Sequence, residues 1–103
     1  MSKLCVVLIK TLPHYLEYSK NHPEHPQEHL AWFGEQHRSG RLLLAGPFSD
    51  QPGTGMWLLR AESREEALAL IDTSPRKKAG VLAEGTEVHE WPLSIGAERL
   101  APQ

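Results

Sequence analysis

The stretch EHLAWFGEQHRSGRLLLAGPF, residues 28–48, decides how this chain is read. Its first half carries Leu30, Phe33 and, with Gly34 between, His37, which is a helical period. At roughly 100° per residue, His29 falls beside Phe33 at the edge of that apolar face, next to Trp32 and Gln36. Gly40 is placed to end the helix, because a left-handed residue commonly closes the last turn and glycine adopts that geometry freely. Leu42-Leu43-Leu44-Ala45 then begins a strand that ends in Gly46-Pro47-Phe48. A histidine on the border of an apolar face is half dry and can still reach a cavity. His29 is therefore the first candidate for proton transfer.

Upstream, Leu4-Cys5-Val6-Val7-Leu8-Ile9 is a continuous apolar run rich in β-branched residues, which predicts a central strand covered on both faces. One layer of helices covers one face, so a second copy is the expected cover for the other, which implies a homodimer. Residues 11–25 read as a loop with weak helical character. Pro26 suits the first position of the main helix, and Glu28 then sits in its first turn, where the helix dipole favours an acid.

Downstream, Ser49-Asp50-Gln51-Pro52-Gly53 is a turn and Gly55-Met56-Trp57-Leu58-Leu59 a third, central strand. Ser63-Arg64-Glu65-Glu66 is a capping box opening a second helix that presents Ala67, Leu70 and Ile71. Pro75 disfavours helix at Ser74, so this helix stops near Thr73. Residues 87–91 alternate and meet Pro92, as an edge strand does. The order is βαββαβ, which predicts a ferredoxin-like α+β fold with an antiparallel sheet. Residues 1–93 form its single domain, and residues 94–103 form a tail free to drape over a partner.

Composition narrows the function. A chain of 103 residues builds one domain with one modest core, and 40% apolar residues argue against disorder. A formal charge of −2 gives no reason to expect nucleic acid or an anionic membrane as partner. Cys5 is the only cysteine, so no intrachain disulfide forms, in keeping with a cytoplasmic location. The first apolar run is too short for a membrane span.

HLAWF followed by SGRLLLAGPF resembles the first helix and second strand of the YCII-related family. These are small dimeric α+β proteins related to the muconolactone isomerases and other dimeric α/β barrels. The resemblance runs to about Leu93. It implies a dimeric barrel of two sheets packed face to face, and a helix histidine that works with the Asp of a later Asp-Pro. Here Ser74-Pro75 stands at that place, and Asp72 lies two positions earlier. Either His29 works with Ser74, or Asp72 reaches in from a shifted helix end, or the dyad chemistry is lost. A serine can hydrogen-bond an imidazole but cannot offset an imidazolium charge. The plain structural alternative is that Ser74 ends the helix and Asp72 is solvated.

Gly46, Pro47 and Phe48 are expected to form the floor or rim of a pocket, with Gly46 allowing close backbone approach. Trp32 and Trp57 can stack on an aromatic ligand or belong to the core. Arg76-Lys77-Lys78 is either an attractor of anionic substrate or a solvated run. His22, His25 and His29 invite a metal reading, but Pro23 and Pro26 interrupt them, and surface histidines at a helix start are the plainer account. No metal and no cofactor are expected; no phosphate loop or serine-nucleophile motif is present. The resemblance implies a lyase or isomerase acting on a small oxygenated ring, HCl removal from chlorinated hydroxyhydroquinones included. Two alternatives are a non-catalytic ligand-binding dimer and a cofactor-free aromatic monooxygenase.

Overall fold

The apolar run near the N-terminus forms β1 (Leu4–Lys10), and the chain continues as α1 (Tyr15–Asn21), α2 (Glu24–Arg38), β2 (Leu42–Pro47) and β3 (Thr54–Arg60). Then come α3 (Arg64–Ile71), the single turn α4 (Pro75–Lys78), β4 (Glu87–Glu90) and a 3₁₀ turn, Ala97–Leu100. The computed structural model describes residues 3–82 and 86–100. The sheet order is β2-β3-β1-β4, and each neighbouring pair of strands is antiparallel. This is the ferredoxin-like α+β arrangement, with α1 and α4 as short additions. Among the described residues, no helix is long and apolar enough to cross a membrane.

Period-two alternation sorts the two faces of the sheet. Cys5, Val7, Ile9, Trp57, Leu59 and Val88 are buried and pack with Trp32, Ala67 and Ile71 from the helices. Burying each of the larger aliphatic side chains among them contributes about 1.5–3 kcal/mol. Opposite residues share a face, so Val6, Leu8, Met56, Leu58 and Leu44 lie on the other side. There Val6, Leu8 and Met56 are half-buried and Leu44 is exposed. The strand is central as expected; one chain covers the helix-side face fully and the other only in part, where Leu58 is buried but Val6, Leu8 and Met56 are half-exposed. The C-terminal turn is tied to its own chain: the Arg60 guanidinium donates to the Leu100 carbonyl at 3.1 Å.

Three local expectations hold. Gly40 follows the Ser39 C-cap of α2 with φ +83°. The Ser63 hydroxyl accepts the Glu66 N–H and opens α3, and α3 ends at Ile71 with Asp72 as its cap. Two others are corrected. Residues 15–21 are helical rather than loop. The main helix starts at Glu24, so Pro26 is its third residue and Glu24, not Glu28, is the first-turn acid. Proline is tolerated there because the first N–H groups of a helix have no intrahelical acceptor.

The close backbone approach expected at Gly46 lies one strand over. A Cβ at Gly46 meets nothing within 4 Å, whereas one at Gly55 stands 2.6 Å from the Gly46 carbonyl oxygen. Gly55→Ala should therefore displace the backbone of β2 and destabilise the protein by about 1–3 kcal/mol. Chemical denaturation checks this, with Gly46→Ala as the nearly neutral control.

Candidate functional site: a buried histidine beside an apolar cavity

The extra turn at the start of α2 changes which residues face inward. His25, His29, Trp32 and Gln36 are the buried positions of α2. They are spaced four, three and four apart, which is one helical stripe. Leu30, read from its hydropathy as part of the inward face, is 71% exposed. His29 is thus at the centre of the buried stripe rather than at its edge. His25 is not the surface residue expected at a helix start, since it is 2% exposed. The stripe i, i+4, i+7, i+11 was available in the sequence, but two of its members are histidines and one is glutamine, which apolar counting passes over.

Aromatic rings enclose His29. Phe33 lies 4.2 Å away between ring centroids, Trp57 5.9 Å, and Trp32 and His25 6.3 Å each, with the His25 and Trp32 rings near-parallel to the imidazole. Both ring nitrogens of His29 are buried and have no hydrogen-bond partner among the described residues. Burial, then the Arg76 charge and His25, lower its pKa from 6.5 to about 3. His25 is lowered for the same leading reason, burial, followed by Arg76. An imidazole so placed rests neutral at pH 7, and any proton it takes is held only transiently, because burial disfavours the charged form.

A cavity of about 1330 Å³ lies on the helix side of the sheet. Its floor is Ile9, Trp57, Gly55 and β2, its wall Leu30, Phe33 and His37 of α2, and its far side Leu12, Tyr15, Leu16 and Arg76. The register of β2 against β3 shifts between Leu42 and Leu44, an irregularity that turns the strand next to the cavity. His29 is not in the lining; Phe33 and Trp57, which touch it, are. Gly46 and Pro47 line the cavity and Phe48 does not. Trp32 donates its indole N–H to the Thr73 hydroxyl at 2.9 Å and borders a second, smaller hollow of about 560 Å³ instead.

Ser74 and Asp72 are placed differently from one another. Ser74 is fully buried, and its hydroxyl accepts the Lys77 N–H at 3.2 Å as the N-cap of α4. Asp72 is exposed at the end of α3. Neither is hydrogen-bonded to His29. His22 stacks on Tyr18 at 4.1 Å, and no group of three or more potential metal ligands is assembled among the described residues. Ser74→Ala should cost about 1 kcal/mol of stability through the lost cap. It should leave turnover within a few-fold, and a hundredfold loss of kcat/KM would put Ser74 at the reacting atoms.

A ferredoxin-like α+β chain with a neutral, buried helix histidine behind an apolar cavity is the class that fold and site define. Residues 4–92 match the YCII-related domain family, and the chain belongs to that family. No curated protein sequence matches it significantly. Among solved structures it is similar to 5-chloro-2-hydroxyhydroquinone dehydrochlorinase from Burkholderia phenoliruptrix, in complex with 2,5-dihydroxybenzoquinone. That match has a TM-score of 0.68 and 22% identity, covering 86% of this chain and 93% of that one. It is also similar to a protein described as a candidate antibiotic biosynthesis monooxygenase from Bacteroides thetaiotaomicron, with TM-score 0.58, 16% identity, and 91% and 90% of the two chains covered. A protein described likewise from Nitrosomonas europaea has TM-score 0.58, 14% identity and 91% of each chain covered. At these identities the likeness is one of fold.

Proposed function

We propose that this protein is a cofactor-free lyase or isomerase that moves a proton on a small oxygenated ring, with His29 as the carrier. The observation that carries the reading is the pair of unpartnered His29 nitrogens, buried between two rings that line the cavity. An unmet buried polar atom costs about 1–3 kcal/mol, and sites that keep such a cost are commonly functional. Phe33 is only half-buried and is the lining ring nearest His29, so in this reading its ring must turn to let a substrate reach the imidazole. The cavity exceeds the usual volume for one small ligand, so the region bounded by Arg76, Tyr15, Phe33 and Trp57 is the part assigned to the ring.

Within this class, HCl elimination from a chlorinated hydroxyhydroquinone is the sharper reading. It is supported by the family and by the activity of the structural neighbour. The reaction balances without an external oxidant. One hydroxyl proton is transferred to the carbon that bears chlorine, a second leaves as H⁺, and the C–Cl pair departs as chloride. The quinol is oxidised by the two electrons that reduce the C–Cl carbon, giving the quinone. A neutral imidazole that takes a hydroxyl proton and returns it to carbon performs the one step that water does poorly. A second copy of the chain, packed on the open face of the sheet, completes the assembly we propose.

Chloride release from a chlorinated hydroxyhydroquinone, followed anaerobically, tests the reading. Turnover that needs oxygen would turn the assignment to a monooxygenase. Tight binding with no turnover would turn it to a ligand-binding dimer.

A further inference from the structure

Arg76 is the one residue of the basic run Arg76-Lys77-Lys78 that lines the cavity. Its guanidinium lies 5.2 Å from the centroid of the Tyr15 ring, a cation–π arrangement that fixes the side chain over an aromatic face. Its Nε is buried with no hydrogen-bond partner, and among the described residues no carboxylate forms an ion pair with it. Lys10, His37 and Arg76 are the only residues in the cavity lining, among the described residues, that can carry a positive charge; no Asp or Glu lines it. From α2, His25 and His29 feel the Arg76 charge, and both have a buried ring nitrogen without a partner. A half-buried guanidinium with a buried, unpartnered Nε, in a cavity lined by no acid, is a site short of one negative charge.

We propose that Arg76 is the anion-binding group of this cavity, and that it selects flat ring compounds carrying an ionised hydroxyl. The inference rests on the proposed function for its choice of ring. It assigns the specificity to a residue of α4 rather than to Ser74 or Asp72. The oxyanion would lie against the Arg76 guanidinium, with the ring over Tyr15 and toward Phe33. The same positive charge that holds the anion discourages protonation of His29, so the acceptor stays free until the substrate's own charge arrives. Where a family carboxylate would favour a charged imidazolium, Arg76 favours a charged ligand and a neutral imidazole.

The test uses 4-nitrophenol, whose ionised form is coloured and whose hydroxyl titrates near neutral pH, with nitrobenzene as the uncharged ring of similar shape. The groups lining the cavity around the probe are Arg76 from α4, Tyr15 from α1, Lys10 from β1 and His37 from α2, while His25 and His29 of α2 lie outside the lining and feel the Arg76 charge. Bound to the wild-type protein, the nitrophenol should titrate about one unit or more below its free value, as an acid does beside a cation. Arg76→Met should remove that shift and weaken binding of the ionised form about tenfold, the equivalent of one unit. Nitrobenzene affinity should change little, and Arg76→Lys should restore the direction of the shift.

An unshifted titration on the wild type, no binding of the ionised probe, or the same shift in Arg76→Met would each overturn the proposal. If Arg76→Met also loses nitrobenzene, Arg76→Lys decides: regaining nitrobenzene without the shift overturns it, and regaining both supports it. None of these readings involves turnover. A shift without chloride release keeps the anion site and removes the dehydrochlorinase reading, and chloride release without a shift does the reverse.

Discussion

His29→Leu should be a more stable protein that has lost its catalysis. His29 is 5% exposed and leaves two buried nitrogens without partners. Leucine has a similar volume, needs no hydrogen bond, and suits the rings of Phe33, Trp32 and Trp57 around it. Removing an unmet buried polar group of this kind recovers about 1–3 kcal/mol. In a domain of this size each kcal/mol raises Tm by about 4–8 °C. The proton carrier is gone, however, and kcat/KM should fall roughly 10²–10⁴-fold. Calorimetry and steady-state rates on the same preparation check both halves. A lower Tm would mean that the nitrogens are satisfied in solution and that the cost inferred here is absent. Unchanged turnover would remove His29 from the mechanism.

The same residue sets a pH dependence whose sign is fixed. The folded-state pKa of His29 is lowered from 6.5 to about 3, first by burial and then by Arg76. Between those values the unfolded chain binds a proton that the folded chain refuses, so stability falls as pH drops. The contribution is fully present above pH 6.5 and is lost progressively as pH drops toward 3, by on the order of a few kcal/mol. His25, lowered by burial and by Arg76, acts in the same direction. His29→Leu should flatten this slope without abolishing it. The acid limb of kcat/KM should lie well below the ordinary histidine range, because His29 remains a free base there.

Local chemistry was legible in the sequence, and the site was legible only in part. Gly40, the Ser63 cap and the stop before Pro75 were read correctly because each depends on a few adjacent residues. The helix start was missed because Pro23 and Pro26 look like breakers, yet both fall where a helix leaves its N–H groups unpaired anyway. That error displaced His25 from the buried stripe and left Leu30 in it. His29 itself was found through the family resemblance and the helical period. Its depth was not, because burial depends on Trp57, which arrives from another strand. Arg76 illustrates the same limit. The run of three basic residues looks like a solvated surface, and only the packing of α4 across the end of α2 separates Arg76 from Lys77 and Lys78.

The assembly gives the second large effect, since the wild type should sediment as a dimer at micromolar concentration and Val6→Glu as a monomer. Val6 pairs with Leu58 on β3 and with His89 on β4, on the face away from the helices. Its neighbours on that face are Leu58, which is buried, Leu8 and Met56, which are half-buried, and Leu44, which is 58% exposed in the single chain. A patch of that composition at the middle of a sheet is costly to leave in water, and a second copy of the same patch covers it by symmetry. Because Val6 is only half-buried within one chain, glutamate there reaches solvent in the monomer and disturbs the fold little. Across a two-fold axis it would meet an apolar surface and its own copy. A buried, unpaired charge costs several kcal/mol, which weakens association by more than a hundredfold. A cooperative melt close to that of the wild type would show that the fold is kept. A wild type that stays monomeric at those concentrations would refute the dimer, and with it the account of why the first strand has no polar side.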